Sequence, residues 1–175
     1  MPKHRSQLRE TDKLSDRSDS QFLTFVLNDE TYGIDILNIK ELIDYGKVTR
    51  VPMMPGFIAG VINLRGSVVP VIDLAVRFAE ESAQKTKRSS IVILELNDED
   101  KTEIGITVDV VNEVLSISGS DVEPAPSFGT KIRTDFISGM GKVDGQLLVL
   151  LEIKNILSIE ELSIIESLAT TTSHD

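Results

Sequence analysis

The sequence predicts an all-β protein built from one small β-barrel unit written twice, with short helices and a C-terminal helix. Three observations predict it. The apolar runs are short, rich in Val and Ile, and closed by Gly, Asn and Asp, as in small barrels. The same order of apolar, Gly and acidic positions occurs on both sides of a charged segment. Each copy spans about 60 residues, too few to bury an adequate core alone, so the two are expected to pack together. The 175 residues therefore make one domain, or two very small ones sharing a core.

The elements follow in chain order. Residues 1–20 set five basic residues (Lys3, Arg5, Arg9, Lys13, Arg17) against Glu10, Asp12, Asp16 and Asp19 with almost nothing apolar, the composition of a disordered tail. Gln21 to Leu27 is a β-rich run, Asn28-Asp29-Glu30 a turn, and Tyr32 to Ile36 the returning strand. Ile36, Ile39, Leu42 and Ile43 have mixed spacing, so Leu37 to Leu42 reads as a short helical turn or a bent strand. Pro52 and Pro55 make Arg50 to Phe57 an extended loop. Val61-Ile62, the turn Asn63-Leu64-Arg65-Gly66, and Val68 to Ile72 read as strand, turn, strand, after which Asp73 caps a short helix from Leu74 to Phe78.

Glu80 to Ser89 is a polar, charged linker. Beyond it come a β-rich run from Ser90 to Leu96, an acidic turn from Asn97 to Glu103, and a β-branched run from Ile104 to Leu115. Pro124-Ala125-Pro126 opens an irregular loop, and Leu147 to Leu151 is the last strand. Ser158 and Glu161 have capping-box spacing, with Ile159, Leu162 and Ile165 at helical intervals behind them. That predicts a C-terminal helix of about ten residues, fraying over 169–175.

The repeat is legible residue by residue. An offset of 72 carries Gly33-Ile34 onto Gly105-Ile106, and Ile36, Ile39, Glu41, Leu42 and Ile43 onto Val108, Val111, Glu113, Val114 and Leu115. Pro52 falls on Pro124. After an insertion the offset becomes 79, taking Phe57-Ile58 to Phe136-Ile137, Gly60 to Gly139 and Gly66 to Gly145. The copies differ at one telling place: Arg65 precedes Gly66, whereas Asp144 precedes Gly145. Two turns of opposite charge suit different partners, although by its chemistry alone Arg65 reads first as an ordinary exposed turn residue.

Composition excludes several functions. Net charge is −10 and the pI about 4.7, against a general nucleic-acid binder and against docking on an anionic membrane. With no Cys, thiolate metal sites, thiol nucleophiles and disulfides are excluded. The two histidines, His4 and His174, sit in the tails, where nothing holds a catalytic base in place. No phosphate-binding glycine string occurs, and the acidic runs Glu80-Glu81, Asp98-Glu99-Asp100 and Glu160-Glu161 read as solvated faces. Neither cofactor nor metal is expected. With no long apolar span and no secretory leader, the expected location is cytoplasmic.

The string from Val51 to Leu74, Val-Pro-Met-Met-Pro-Gly-Phe-Ile-Ala-Gly-Val-Ile-Asn-Leu-Arg-Gly-Ser-Val-Val-Pro-Val-Ile-Asp-Leu, resembles the signature of CheW-type chemotaxis scaffold proteins. Tyr32 to Ile36, Gly105 to Asp109, Pro124-Ala125-Pro126 and Phe136 to Gly141 extend the resemblance across roughly residues 20–168. It implies two intertwined five-stranded SH3-like β-barrels within a domain over 21–168, the first repeat about 21–79 and the second about 90–153, with chain segments partly exchanged. It implies a non-enzymatic adaptor that binds the regulatory domain of the histidine kinase CheA and the cytoplasmic tip of methyl-accepting chemoreceptors. Other copies of the adaptor are implied as ring neighbours in membrane-associated arrays.

By position, the resemblance assigns receptor coupling to Arg65. It assigns one edge of an inter-barrel groove to Ile39, Glu41 and Leu42, and the opposite wall to Val108, Val111 and Val114, although such aliphatics also suit plain core. The loop with Glu123, Pro124 and Phe128 is similar to a contact with the neighbouring ring member or kinase; some relatives carry a basic residue where this chain has Glu123. The runner-up reading is a small β-barrel module binding RNA or a small ligand, which would need a basic, aromatic surface; this chain has no Trp and two Tyr. No hydrolase, kinase or transferase activity is expected of the purified protein. ATP turnover that co-purifies with the chain and vanishes on a point substitution would contradict this.

Overall fold

The computed structural model describes residues 19–78, 85–96, 102–125, 133–158, 161 and 163–164. The first hairpin pairs β1 (Ser20–Leu27) with β2 (Glu30–Asp35) through Asn28-Asp29, both at positive φ, as a two-residue hairpin turn requires and as Asn and Asp tolerate. The mixed spacing that follows resolves into a 3-10 turn, Ile36–Asn38, and then β3 (Ile39–Asp44). The Asp35 carboxylate caps that turn, accepting from the Leu37 amide at 2.9 Å. A second hairpin joins β4 (Ile58–Leu64) to β5 (Ser67–Ile72), and Asp73 caps the one-turn helix α1 (Leu74–Arg77).

The second copy repeats the plan with β6 (Ser90–Glu95), β7 (Glu103–Val108), β8 (Val110–Ile117), β10 (Ile137–Val143) and β11 (Gln146–Leu151). It adds a short β9 (Val122–Glu123). The β-branched run expected as one stretch from Ile104 to Leu115 breaks at Asp109. There the Asp109 amide donates to the Val26 carbonyl at 2.9 Å and its carboxylate accepts from the Asn28 amide at 2.8 Å. The capping box is formed: the Ser158 amide donates to Glu161 Oε1 at 2.7 Å and the Glu161 amide to Ser158 Oγ at 3.1 Å. Most of the helix expected behind it lies outside the described residues, as do residues 1–18 and 165–175 and most of the acidic turn.

Two sheets result, ordered β8-β1-β2-β11-β10-β9 and β3-β6-β7-β5-β4. Each takes its leading hairpin from one repeat and its other long strands from the other repeat. The repeats join at the antiparallel pairs β1–β8 and β3–β6 and at the parallel pairs β2–β11, with Gly33 opposite Leu150, and β5–β7, with Gly105 opposite Val71. The chain also links the two edges of each sheet. β8 continues through a 3-10 turn (Gly119–Asp121) into β9, which pairs with β10, and β3 leads on to Thr49, which bridges to Val61 of β4. At these crossings the repeated Gly60 and Gly139 leave no room for a side chain: a Cβ would strike the Thr49 carbonyl in one case and Val122 Cγ1, at 2.6 Å, in the other.

The inner strands β1, β6 and β7 are buried on both faces, which is why they read as continuous apolar runs rather than as clean alternation. Along β6, Ile91 and Ile93 face a small core within their own sheet, with Val69 and Val71, while Val92 and Leu94 face a large core shared by both sheets. β11 does the same, Leu148 and Leu150 facing inward with Phe22 and Ile117, and Leu151 facing the shared core. Phe25, Tyr32, Phe78 and Phe136 pack ring to ring through the shared core at centroid spacings of 5.9, 5.6 and 5.6 Å, the first pair stacked and the other two tilted, joining both repeats. Each such side chain, fully buried, is worth about 1.5–3 kcal/mol.

Because neither repeat holds a complete sheet, separating the two halves after a cut in the 80–89 linker should leave each unfolded, and remixing them should restore the fold. Circular dichroism and urea melts of the halves, alone and mixed, test this; a cooperative transition in either half alone contradicts it.

Candidate functional site

Arg65 stands at the tip of the β4–β5 hairpin, at φ 53°, followed by Gly66 at φ 85°. Both central residues are left-handed, the geometry that matches the twist of the flanking strands. Asn63 braces the turn, its side-chain oxygen accepting from the Gly66 amide at 3.0 Å. Asp144 and Gly145 make the equivalent turn at φ 50° and 78°. Asp is at home there; a long basic side chain is not, and left-handed backbone costs an ordinary residue about 1–2 kcal/mol. Arg65 thus occupies a position that folding alone would fill with Asn, Asp or Gly.

Its guanidinium is not free. Nη1 lies 2.9 Å from Glu41 Oε1 and Nη2 donates to Oε2 at 3.0 Å, a two-pronged contact that fixes the plane of the guanidinium. The Arg65 side chain remains 76% exposed, against 23% for Glu41. Glu41 is held by β3, an edge strand with one extra residue: Ile39 pairs with Leu94 and Glu41 with Ile93, so Lys40 bulges out. Lys40 reaches Glu103 at 3.1 Å and Glu95 at 3.5 Å. The hydrogen bond to Glu103, aided by the charges of both glutamates, raises the ammonium pKa above its ordinary value. The result is a compact, charge-compensated surface with Leu42 beside it, 45% exposed.

The remaining candidates divide. Ile39 and Val111, equivalent in the two repeats, are half-buried against the shared core. Val114, the equivalent of Leu42, is 50% exposed on β8. Val108 is a correction: it is 1% exposed and belongs to the shared core, because it follows Ile104 and Ile106 on one face of β7. It offers no surface to a partner. Glu123 and Pro124 are exposed on the other sheet, away from the β4–β5 hairpin in topology, and Glu123 Oε1 pairs with Lys142 Nζ at 2.6 Å. Phe128 lies outside the described residues. Sequence reasoning missed Leu37, an exposed apolar side chain on the turn just before β3, and Met53, fully exposed at positive φ between two prolines. An apolar residue in a short turn gives no sign in sequence of which way it points.

None of the candidate contact residues lines the open cleft of about 560 Å³ that lies between the 45–59 segment and α1. Among the described residues no group of His, Asp or Glu side chains is placed to hold a metal ion. The hairpin tip and β3 present paired charges with Leu42 exposed next to them, and β8 presents Val114.

The family model of the CheW-like domain matches residues 21–161. The chain is 38% identical over 149 residues to the chemotaxis protein CheW of Klebsiella aerogenes, covering 85% of this chain and 88% of that one. It is 33% identical over 145 residues to the chemotaxis protein CheW of Bacillus subtilis, covering 82% and 90%. The crystal structure of the scaffolding protein TtCheW from Thermoanaerobacter tengcongensis superposes with a TM-score of 0.74 at 34% identity, over 82% of this chain and 90% of that one.

If the left-handed turn carries strain at Arg65, Arg65→Asn should leave the protein as stable or up to about 1 kcal/mol more stable, relief of backbone strain outweighing an exposed ion pair worth about 0–1 kcal/mol. Urea melts of both proteins decide it. A loss above about 1 kcal/mol would mean that the pair with Glu41 holds the hairpin together.

Proposed function

The chain belongs to the CheW family of chemotaxis scaffold proteins, and on that premise we propose that it couples methyl-accepting chemoreceptors to the histidine kinase CheA as a non-enzymatic adaptor within receptor arrays. In this reading the hairpin tip with Arg65, together with Glu41, Leu42, Ile39, Val111 and Val114, meets the helical receptor tip. Glu123, Pro124 and Phe128 meet the kinase regulatory domain or a neighbouring adaptor. The observation that carries the receptor assignment is Arg65 itself: a mostly exposed arginine held on left-handed backbone, where its pseudo-equivalent is aspartate. Strain kept at an exposed position without a packing reason points to a role outside folding.

The physics of the contact follows from the pair. Glu41 keeps the guanidinium flat and extended, so little side-chain entropy remains to be lost when its outward donors meet carbonyl or carboxylate oxygens on a receptor hairpin. In this reading the exposed Leu42, next to Glu41 on β3, and the exposed Val114 on β8 offer apolar area to the receptor helix. Among the described residues no helix is long and apolar enough to cross a membrane; an adaptor of this kind works at the cytoplasmic end of receptors that do.

Arg65→Glu places two carboxylates where a matched pair stood. Receptor-fragment binding should weaken by about 2–5 kcal/mol if the contact is desolvated. Binding of the kinase regulatory domain should persist, and the urea midpoint should move by no more than about 1 kcal/mol in stability. Pull-downs with each partner, run beside the melt, make the test. Normal receptor binding by Arg65→Glu, or binding lost only because the protein has unfolded, removes Arg65 from the receptor contact.

A further inference from the structure

The two copies carry the same β-bulge and brace it differently. In β8, Asn112 and Glu113 together fall opposite Thr24, between the pairs Leu23–Val114 and Phe25–Val111. The Thr24 hydroxyl bonds both the amide and the carbonyl of Glu113. In β3 the pairs Leu42–Val92 and Ile39–Leu94 take those places, so Ile93 stands where Thr24 stands in the other copy. An isoleucine has no hydroxyl to offer. The bulged residue itself, Lys40, is tied instead: its ammonium lies 3.1 Å from Glu103 and 3.5 Å from Glu95.

Those two glutamates face each other in the register of β6 and β7. Like charges directly opposite on neighbouring strands repel, and a cation between them turns repulsion into attraction. The tie therefore reaches from the edge strand β3 across β6 to β7. Each glutamate side chain is 24% exposed, so the network is partly shielded from water and salt.

The bulge decides which face Glu41 takes. Residues opposite one another in an antiparallel pair share a face of the sheet. Ile39 pairs with Leu94, which faces the shared core, whereas Glu41 pairs with Ile93 and Ile43 with Ile91, both of which face the small core within the sheet. In a regular strand Glu41 would keep the face of Ile39, two residues before it. The extra residue puts it on the other face, where its carboxylate meets the Arg65 guanidinium at 2.9 and 3.0 Å.

We propose that Lys40 is a positioning residue for the receptor contact: tied to Glu103 and Glu95, it braces the bulge that sets Glu41 against Arg65. The role rests on Arg65 meeting the receptor. Lys40 acts through Glu41, and needs no contact with the receptor of its own.

Lys40→Met keeps the aliphatic stem and removes the charge. Glu95→Thr with Glu103→Thr unties Lys40 from the other end. It also leaves a cross-strand pair that suits a sheet, so repulsion between bare glutamates cannot account for a matching result. In each variant the order parameter of the Arg65 Nε–H, read by NMR relaxation of the full chain, should fall at least halfway to its value in Glu41→Ala, where the carboxylate partner is gone. Affinity for a receptor fragment should weaken about fivefold, the scale of a partly exposed charge network, with the kinase regulatory domain bound as before within about twofold. Lys40→Arg should retain both the order and the affinity. On an Arg65→Asn background Lys40→Met should cost no further receptor affinity, because nothing is left to position. An unchanged Arg65 order parameter in either variant overturns the proposal. So does a full further loss on the Arg65→Asn background, which would make Lys40 a receptor contact in its own right. If the variants do not fold, the tie serves the whole fold and the proposal falls. Normal receptor binding by Arg65→Asn removes the receptor reading itself, and the role of Lys40 with it, whatever the order parameter shows.

Discussion

The core between the two sheets is assembled from both repeats, and most other features of the molecule follow from that exchange. β1 and β2 deliver Leu23, Phe25, Tyr32 and Ile34 into it from one sheet; β6 and β7 deliver Val92, Leu94, Ile104 and Ile106 from the other. The cores within the individual sheets are much smaller, with five and four buried residues respectively among the described ones. Neither could offset the chain entropy of its own strands, which runs to roughly 1–2 kcal/mol per ordered residue. Cooperation between the copies is thus a thermodynamic requirement of a unit this small.

The exchange also decides which strands become edges. β2 leads into β3 and β7 into β8 by crossing from one sheet to the other, which leaves β3 and β8 at the margins of their new sheets. Both carry an extra residue at equivalent points, Lys40 in β3 and the Asn112–Glu113 step in β8. In β8 the Thr24 hydroxyl repairs the break, donating to the Glu113 carbonyl at 2.9 Å and accepting from its amide at 3.2 Å. Bulged, charged edges resist further strand pairing. The same edges carry Leu42 and Val114 exposed, so the feature that protects each edge sits beside an apolar knob on the surface.

Symmetry of backbone with asymmetry of side chains then gives a duplicated scaffold two different surfaces. The turns at Arg65-Gly66 and Asp144-Gly145 share their dihedral angles, and the arginine in one is matched to Glu41. Arg77, over the rings of Phe57 and Phe136, against Ile156 is a second break of the same kind, placed where the repeats meet rather than at a tip. In both cases one copy carries a cation where the other does not, and each cation is compensated by its own glutamate, Glu41 or Glu161.

Much of this was legible in the residues. The repeat, the glycine pairs, the hairpin turns, the Asp73 cap and the Ser158–Glu161 box are short-range patterns, set by dihedral preference and by hydrogen bonds within a few residues. Arg65 stood out because its equivalent is Asp144, a comparison that needs no coordinates. Which face of a doubly buried strand looks into which core was not legible, because Val108 and Val114 differ little in chemistry and only the packing of β7 and β8 separates a core residue from a surface one. The pairing of Arg65 with Glu41, the sandwich of Arg77 between Phe57 and Phe136, and the direction of Leu37 likewise join or orient positions through space, where sequence spacing carries no information. The sequence by itself determined the repeated unit and its turns; the tertiary structure alone decided how hairpins exchange between sheets, since that choice depends on how much apolar surface two copies bury together.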